Sequence, residues 1–113
     1  MQNKGHEAER RAENFLQQQK LRLLERNYHC RFGEIDLIMQ EGDTLVFVEV
    51  RMRTSHFYGG AAASITAAKQ AKLIKTARHY LSRHNADRPC RFDAILISGN
   101  LEIEWVQNAF DEY

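Results

Sequence analysis

Glu34 and Asp36 stand two residues apart, and so do Glu49 and Arg51. Each pair lies in a stretch that reads as a β-strand. In the first, Ile35, Leu37 and Met39 alternate with Glu34, Asp36 and Ile38, the period of a strand with two distinct faces. In the second, Leu45, Val46, Phe47, Val48 and Val50 leave almost no polar position, which suits a strand buried on both faces. Between them, Glu41-Gly42-Asp43-Thr44 has Gly-Asp at its centre, a favoured two-residue hairpin loop in which Gly supplies the positive φ. Glu41 then pairs with Thr44. Counting back along the ladder puts Asp36 opposite Glu49 and Glu34 opposite Arg51, all four on one face.

Carboxylates directly opposite one another repel, and an unpaired charge on an apolar strand is costly to bury. Two arrangements relieve this. Arg51, Glu34 and Arg53 can neutralise the carboxylates in a structural network. Alternatively, a divalent cation sits between Asp36 and Glu49. A hard ion such as Mg²⁺, with Mn²⁺ as a substitute, binds one or two carboxylates and keeps several waters. A charged cluster on a buried strand favours the cation.

The flanking elements must hold this pair in place. Ala8, Ala12, Phe15 and Leu16 form an apolar stripe, which predicts a helix over Gly5–Lys20. Glu9 borders that stripe, where a carboxylate can reach over the end of the sheet. Leu21–Cys30 reads as a strand, and Gly33 opens the hairpin. Residues 54–63 form a loop with Tyr58, Gly59 and Gly60 at its centre; glycines admit a phosphate closely, and an aromatic ring can stack on a base or tuck into the core. Ser64–His84 is the longest helix, with Ser64 as N-cap. Ala67, Leu73, Ile74, Ala77, Tyr80 and Leu81 are its expected buried side, and Lys69, Lys72 and Lys75 lie off that stripe. Arg91–Ile97 and a short segment containing Leu101, Ile103 and Trp105 complete the strands. Arg91 and Asp93 share a face and either support the site or pair with neighbours. The order α-β-β-β-α-β-β predicts an α/β chain with a mixed sheet of about five strands and a helix on each face.

The 113 residues suffice for one domain, 1–113. No apolar run is long enough to cross a bilayer, and the polar start, Met-Gln-Asn-Lys-Gly-His-Glu, is not a signal peptide. Cys30 and Cys90 are the only cysteines; they read as reduced thiols of a cytoplasmic protein. Net charge is only +1, but it is unevenly spread. Residues 50–84 hold seven basic side chains, including Arg51, Arg53, Lys69, Lys72 and Lys75, and no acid. That asymmetry suits an anionic partner. The sequence has no phosphate-binding Gly-rich motif with Lys and Ser or Thr, no Cys pair at zinc spacing and no nucleophile with a matching triad.

Asp36 followed by Glu49-Val50-Arg51 resembles the D…(D/E)-x-K signature of restriction-endonuclease-like nucleases. Gly5, Glu9-Arg10-Arg11-Ala12, the run from Gly33 to Ile38, the run from Val46 to Arg53, Tyr58-Gly59-Gly60-Ala61 and Arg91-Phe92-Asp93 together resemble the YraN family of uncharacterised bacterial proteins, which is similar to archaeal Holliday-junction resolvases. The family usually carries Lys where this chain has Arg51. The resemblance implies a restriction-endonuclease-like fold and a Mg²⁺-dependent endonuclease acting on branched or damaged DNA. It implies that Asp36 and Glu49 hold the metal, with Glu9 of the first helix and the Val50 carbonyl as further ligands. Arg51 would then hold the attacking water or the phosphate. Arg53, Tyr58, Gly59, Gly60, Lys69, Lys72 and Lys75 are the expected DNA contacts, and the resolvases' dimeric state implies a homodimer. The contrasting expectation is a nucleic-acid-binding or protein-interaction module that keeps the fold without cleavage.

Overall fold

The computed structural model describes residues 4–53, 65–84 and 86–111. Its elements are α1 (Lys4–Gln18), β1 (Arg22–Cys30), β2 (Gly33–Glu41), β3 (Thr44–Arg53), α2 (Ala67–Arg83), β4 (Cys90–Ser98) and β5 (Ile103–Phe110). The order α-β-β-β-α-β-β is the expected one. The five strands form one sheet in the order β1-β2-β3-β4-β5. β3 and β4 run parallel and every other pair is antiparallel. A parallel neighbour needs a crossover, and α2 supplies it. Tyr58, Gly59 and Gly60, the expected cap Ser64 and the side chain of Arg53 lie outside the described residues.

The helices cover opposite faces of the sheet. Ala8, Ala12 and Leu16 of α1 pack with Leu37, Met39, Val46, Val48, Ile95 and Ile97. Leu73, Ala77 and Tyr80 of α2 pack with Ile35, Ile38, Leu45, Phe47, Phe92 and Ala94. β3 therefore feeds alternate side chains into two cores, which explains its nearly unbroken apolar run. Among the described residues, no helix is long and apolar enough to cross a membrane. Neither Cys30 nor Cys90 is in a disulfide.

The hairpin register is the expected one, from Glu41↔Thr44 through Leu37↔Val48, with Gly42 at φ 60° in the turn. The alternation in β2 differs from expectation. Ile35 packs in the α2-side core with Ile38, while Leu37 and Met39 lie in the α1-side core. The face therefore switches at Asp36. Across from it in β1, Asn27 lies between the pairs Arg26↔Leu37 and Tyr28↔Ile35 and adopts φ 51°. The described β2–β3 ladder ends at Leu37↔Val48. Beyond it, the Val50 N–H donates to Asp36 Oδ2 at 2.8 Å. Neither expected cross-strand pair, Asp36 with Glu49 or Glu34 with Arg51, falls within that ladder; on the other edge of β2, Glu34 lies opposite His29 of β1.

Two further differences have local causes. Thr66 caps α2, its side chain accepting the Lys69 N–H at 3.1 Å. This starts the helix at Ala67, which is exposed, and buries Thr76 instead. Thr76 Oγ1 lies 3.2 Å from where a Cβ on Gly33 would stand, and Gly33 has φ 150°, so only glycine lets β2 begin against α2. In the sheet, β5 starts at Ile103 and runs to Phe110. Leu101 sits in the preceding turn at φ 68°, 49% exposed. The strand extends past the expected segment because Asp93, 0% exposed, anchors it. Asp93 accepts two bonds from Arg91, at 2.8 and 2.9 Å, one from Trp105 Nε1 and one from the Asn108 N–H, each at 2.9 Å. Arg91 also bonds Glu41 at 2.7 Å. Of the two expected roles for Arg91 and Asp93, the structure thus shows pairing with neighbours.

Candidate metal centre

Asp36 lies just beyond the last pair of the β2–β3 ladder, where its carboxylate accepts the Val50 N–H. Irregularities in a ladder re-aim side chains beside functional sites. Two carboxyl groups meet it there. Glu9 of α1 hydrogen-bonds to Asp36, and so does Glu49 of β3. Glu49 is 7% exposed, and Glu9 and Asp36 are half-buried. Glu34 adds negative charge beside Glu9 and Asp36, and the Asn27 side chain hydrogen-bonds Glu9. Two cations face the group: Lys69 Nζ lies 3.8 Å from Glu49 Oε2, and the Arg51 charge acts on Glu49 as well.

Burial and mutual repulsion dominate the electrostatics. Desolvation, then the negative charge of Asp36, pushes Glu9 up to about 7 from 4.5. The same two causes, in the same order, raise Glu49 to about 7, against the opposing pull of Lys69 and Arg51. Asp36 is also raised, chiefly by burial, while the Val50 N–H, Lys69 and the bond from Glu9 work the other way. In the absence of a metal, Glu9 and Glu49 therefore take up protons at a higher pH than ordinary glutamates, and when protonated they can donate to Asp36.

A hard dication fits this donor set, since it would replace those protons and let all three groups ionise. Asp36 lies between Glu9 and Glu49 and contacts both. Among the described residues, no group of three or more His, Cys, Asp or Glu side chains is placed to hold a metal ion; a metal here would rest on the carboxylates of Asp36 and Glu49 alone.

The structure brings together Glu9, Asp36, Glu49 and Arg51, as the sequence predicts. It also moves one residue between roles. Lys69, expected with Lys72 and Lys75 on a DNA-facing surface, turns toward Glu49, whereas Lys72 and Lys75 are exposed on α2. The cause is the cap. Thr66 places Lys69 in the first turn of α2, where a cation opposes the helix dipole unless a carboxylate meets it. Asn27 escapes a sequence reading because, although Asn tolerates a left-handed backbone, the strand pattern does not show that one is needed opposite Asp36. Val50 meets Asp36 through its N–H, a contact that strand periodicity does not reveal.

This chain belongs to the uncharacterised protein family UPF0102, whose model matches residues 8–97. It is 74% identical over 110 residues to a UPF0102 protein of Nitrosomonas eutropha, covering 97% of this chain and 95% of that one. It is 59% identical over 110 residues to a relative from Nitrosospira multiformis, covering 96% and 92%. A relative from Aeromonas hydrophila is 51% identical over 111 residues, covering 96% and 85%. The match takes in Glu9, Asp36, Glu49, Arg51 and Lys69.

Proposed function

We propose that this member of the family is a metal-dependent endonuclease that hydrolyses DNA phosphodiester bonds, acting on branched or damaged DNA. The observation that carries this reading is the hydrogen-bonded series Glu9–Asp36–Glu49 with Lys69 and Arg51 beside it. Asp36 and Glu49 would hold Mg²⁺ or Mn²⁺, and Glu9 would accept a proton or turn in as a further ligand. When bound, such an ion lowers the pKa of a water and neutralises charge on the phosphate.

The chain's own groups divide the remaining work. Arg51 stays protonated at any working pH and cannot act as a general base; it anchors phosphate or attacking water by charge and hydrogen bonds. Lys69 is a compact cation that holds Glu49 in position and becomes available to the phosphate once a metal takes that carboxylate. Lys72 and Lys75, exposed further along α2, contact flanking phosphates. Arg53, Tyr58, Gly59 and Gly60 remain the proposed contacts of the adjoining segment. A homodimer, as in the resembling resolvases, would present two such sites to a branched substrate, and sedimentation equilibrium tests it.

A second reading, a binding module without cleavage, draws on Arg51 in the position where the family usually carries Lys. Single-turnover nicking of duplex, single-stranded and four-way-junction DNA with Mg²⁺, Mn²⁺ or EDTA separates the two. The nuclease reading expects metal-dependent cuts that Asp36→Asn abolishes. Binding with no cut on any substrate would favour the module.

A further inference from the structure

A cavity of about 430 Å³ opens beside Glu9, between α1 and the β1–β2 pair. Its size suits a small ligand. Glu13 and Leu37 are its buried lining residues, while Arg10, Asn14 and Asn27 are exposed around it. Arg26 also lines it, and grips Glu13 through two hydrogen bonds of 2.7 and 2.9 Å. That pair cancels its own charge, so this wall is polar but neutral. Leu37 adds an apolar patch. Asn14 and Asn27 bring two amides; that of Asn27 also bonds the Glu9 carboxyl, which lines the cavity too. Asn27 is held at φ 51°, a conformation that costs most residues energy and often marks functional sites.

A free anion would call for converging unpaired cations, and the neutralised Arg26 does not supply one. The combination of two amides, an apolar patch and one further guanidinium, Arg10, instead matches a flat heterocycle carrying a phosphate. Amide side chains read base edges through paired donor and acceptor bonds, and proteins take up bases this way when the bases are unstacked. We propose that this cavity receives the nucleobase of an unpaired nucleotide adjoining the phosphate held at Asp36, with Arg10 directed at that nucleotide's own phosphate. The position next to the scissile phosphate rests on the nuclease reading; the binding of a nucleotide does not. A base in an intact duplex cannot enter without unstacking, so the cavity selects DNA with an unpaired residue at the cut, such as a flap, gap or junction.

The test is a titration in EDTA with deoxynucleoside monophosphates, deoxyribose 5-phosphate and inorganic phosphate, followed by backbone and side-chain amide NMR. The expected result is that nucleotides shift the Asn14 and Asn27 side-chain signals and bind at least tenfold more tightly than either base-free probe. Asn14→Ala, on the exposed surface of α1, and Asn27→Gly, which keeps the left-handed backbone, should each weaken nucleotide binding at least fivefold without lowering the melting temperature by more than a few degrees. Equal binding of nucleotide and base-free phosphate would overturn the proposal, as would unchanged affinity in both variants or an absence of shifts at both asparagines. Nucleotide binding that survives in a chain unable to nick DNA would refute the nuclease reading and leave the cavity's ligand standing.

Discussion

At the residue scale, three carboxyl groups crowd together around Asp36 and are all raised above their ordinary values, and this makes the apo protein sensitive to pH. Glu9 and Glu49 are raised to about 7 from 4.5. An acid whose folded pKa exceeds its unfolded value binds more protons when folded. Stability then falls as pH rises from about 4.5 to about 7 and stays low above that window. In EDTA, the wild type should melt several degrees higher at pH 5 than at pH 8, and differential scanning calorimetry checks it. Glu49→Gln should melt higher than the wild type at pH 8 by a few degrees, corresponding to about 1 kcal/mol. Mg²⁺ should stabilise the wild type more at pH 8 than at pH 6, because the metal competes with those protons.

The two cations separate by their expected kinetics. Arg51→Lys keeps a positive charge beside Glu49 and should retain nicking within about tenfold, some 1.4 kcal/mol in the barrier. Arg51→Gln should lose much more. Lys69→Gln removes the ammonium that sits 3.8 Å from Glu49. It should tighten Mg²⁺ binding, measured by calorimetry, while lowering the single-turnover rate. A Lys69 that served only as an outer phosphate contact would leave metal affinity unchanged.

At the element scale, the hairpin was legible because Gly42-Asp43 admits few turns, and its register carries Asp36 and Glu49 toward one another. The switch of faces at Asp36 was not legible, since Ile35, Leu37 and Met39 fit a strand with either facing. The left-handed backbone of Asn27 and the Asp36 bond to Val50 accompany the switch, and neither leaves a mark on hydrophobic periodicity. The start of α2 was misplaced by two residues because Ser64 and Thr66 are both good caps; tertiary packing of Thr76 against Gly33 settles which side of the helix is buried. Gly33→Ala should cost about 2 kcal/mol through its positive φ and the contact with Thr76, measured by urea unfolding. The extent of β5 depended on Asp93, whose four bonds reach Arg91, Trp105 and Asn108. Asp93→Ala should cost about 3–5 kcal/mol, since it removes the carboxylate that Arg91, Trp105 Nε1 and the Asn108 N–H share, without altering metal affinity.

At the scale of the whole molecule, the uneven charge was visible from the sequence, and the fold concentrates part of it along α2. Lys72 and Lys75 are both exposed on α2. DNA affinity should therefore fall steeply with salt. Lys72→Gln with Lys75→Gln should reduce the slope of log affinity against log salt by about 1–2 and weaken binding to all sequences alike. Fluorescence anisotropy at several salt concentrations reads this, and an unchanged slope would assign the contact to another surface. The sequence could not foretell that Lys69 leaves this group, because its direction is set by where α2 begins.

The measurement that bears most directly on the central claim is single-turnover nicking of a four-way junction and a flapped duplex by wild type and Glu49→Gln, with Mg²⁺, Mn²⁺ or EDTA. Wild type should cut only with metal, and Glu49→Gln should be slower by at least a hundredfold, about 2.7 kcal/mol in the barrier, while binding the same DNA as tightly. Equal cutting by the two proteins, or no cutting by wild type with either metal on either substrate, would contradict the assignment of Asp36 and Glu49 as the centre of a metal-dependent nuclease.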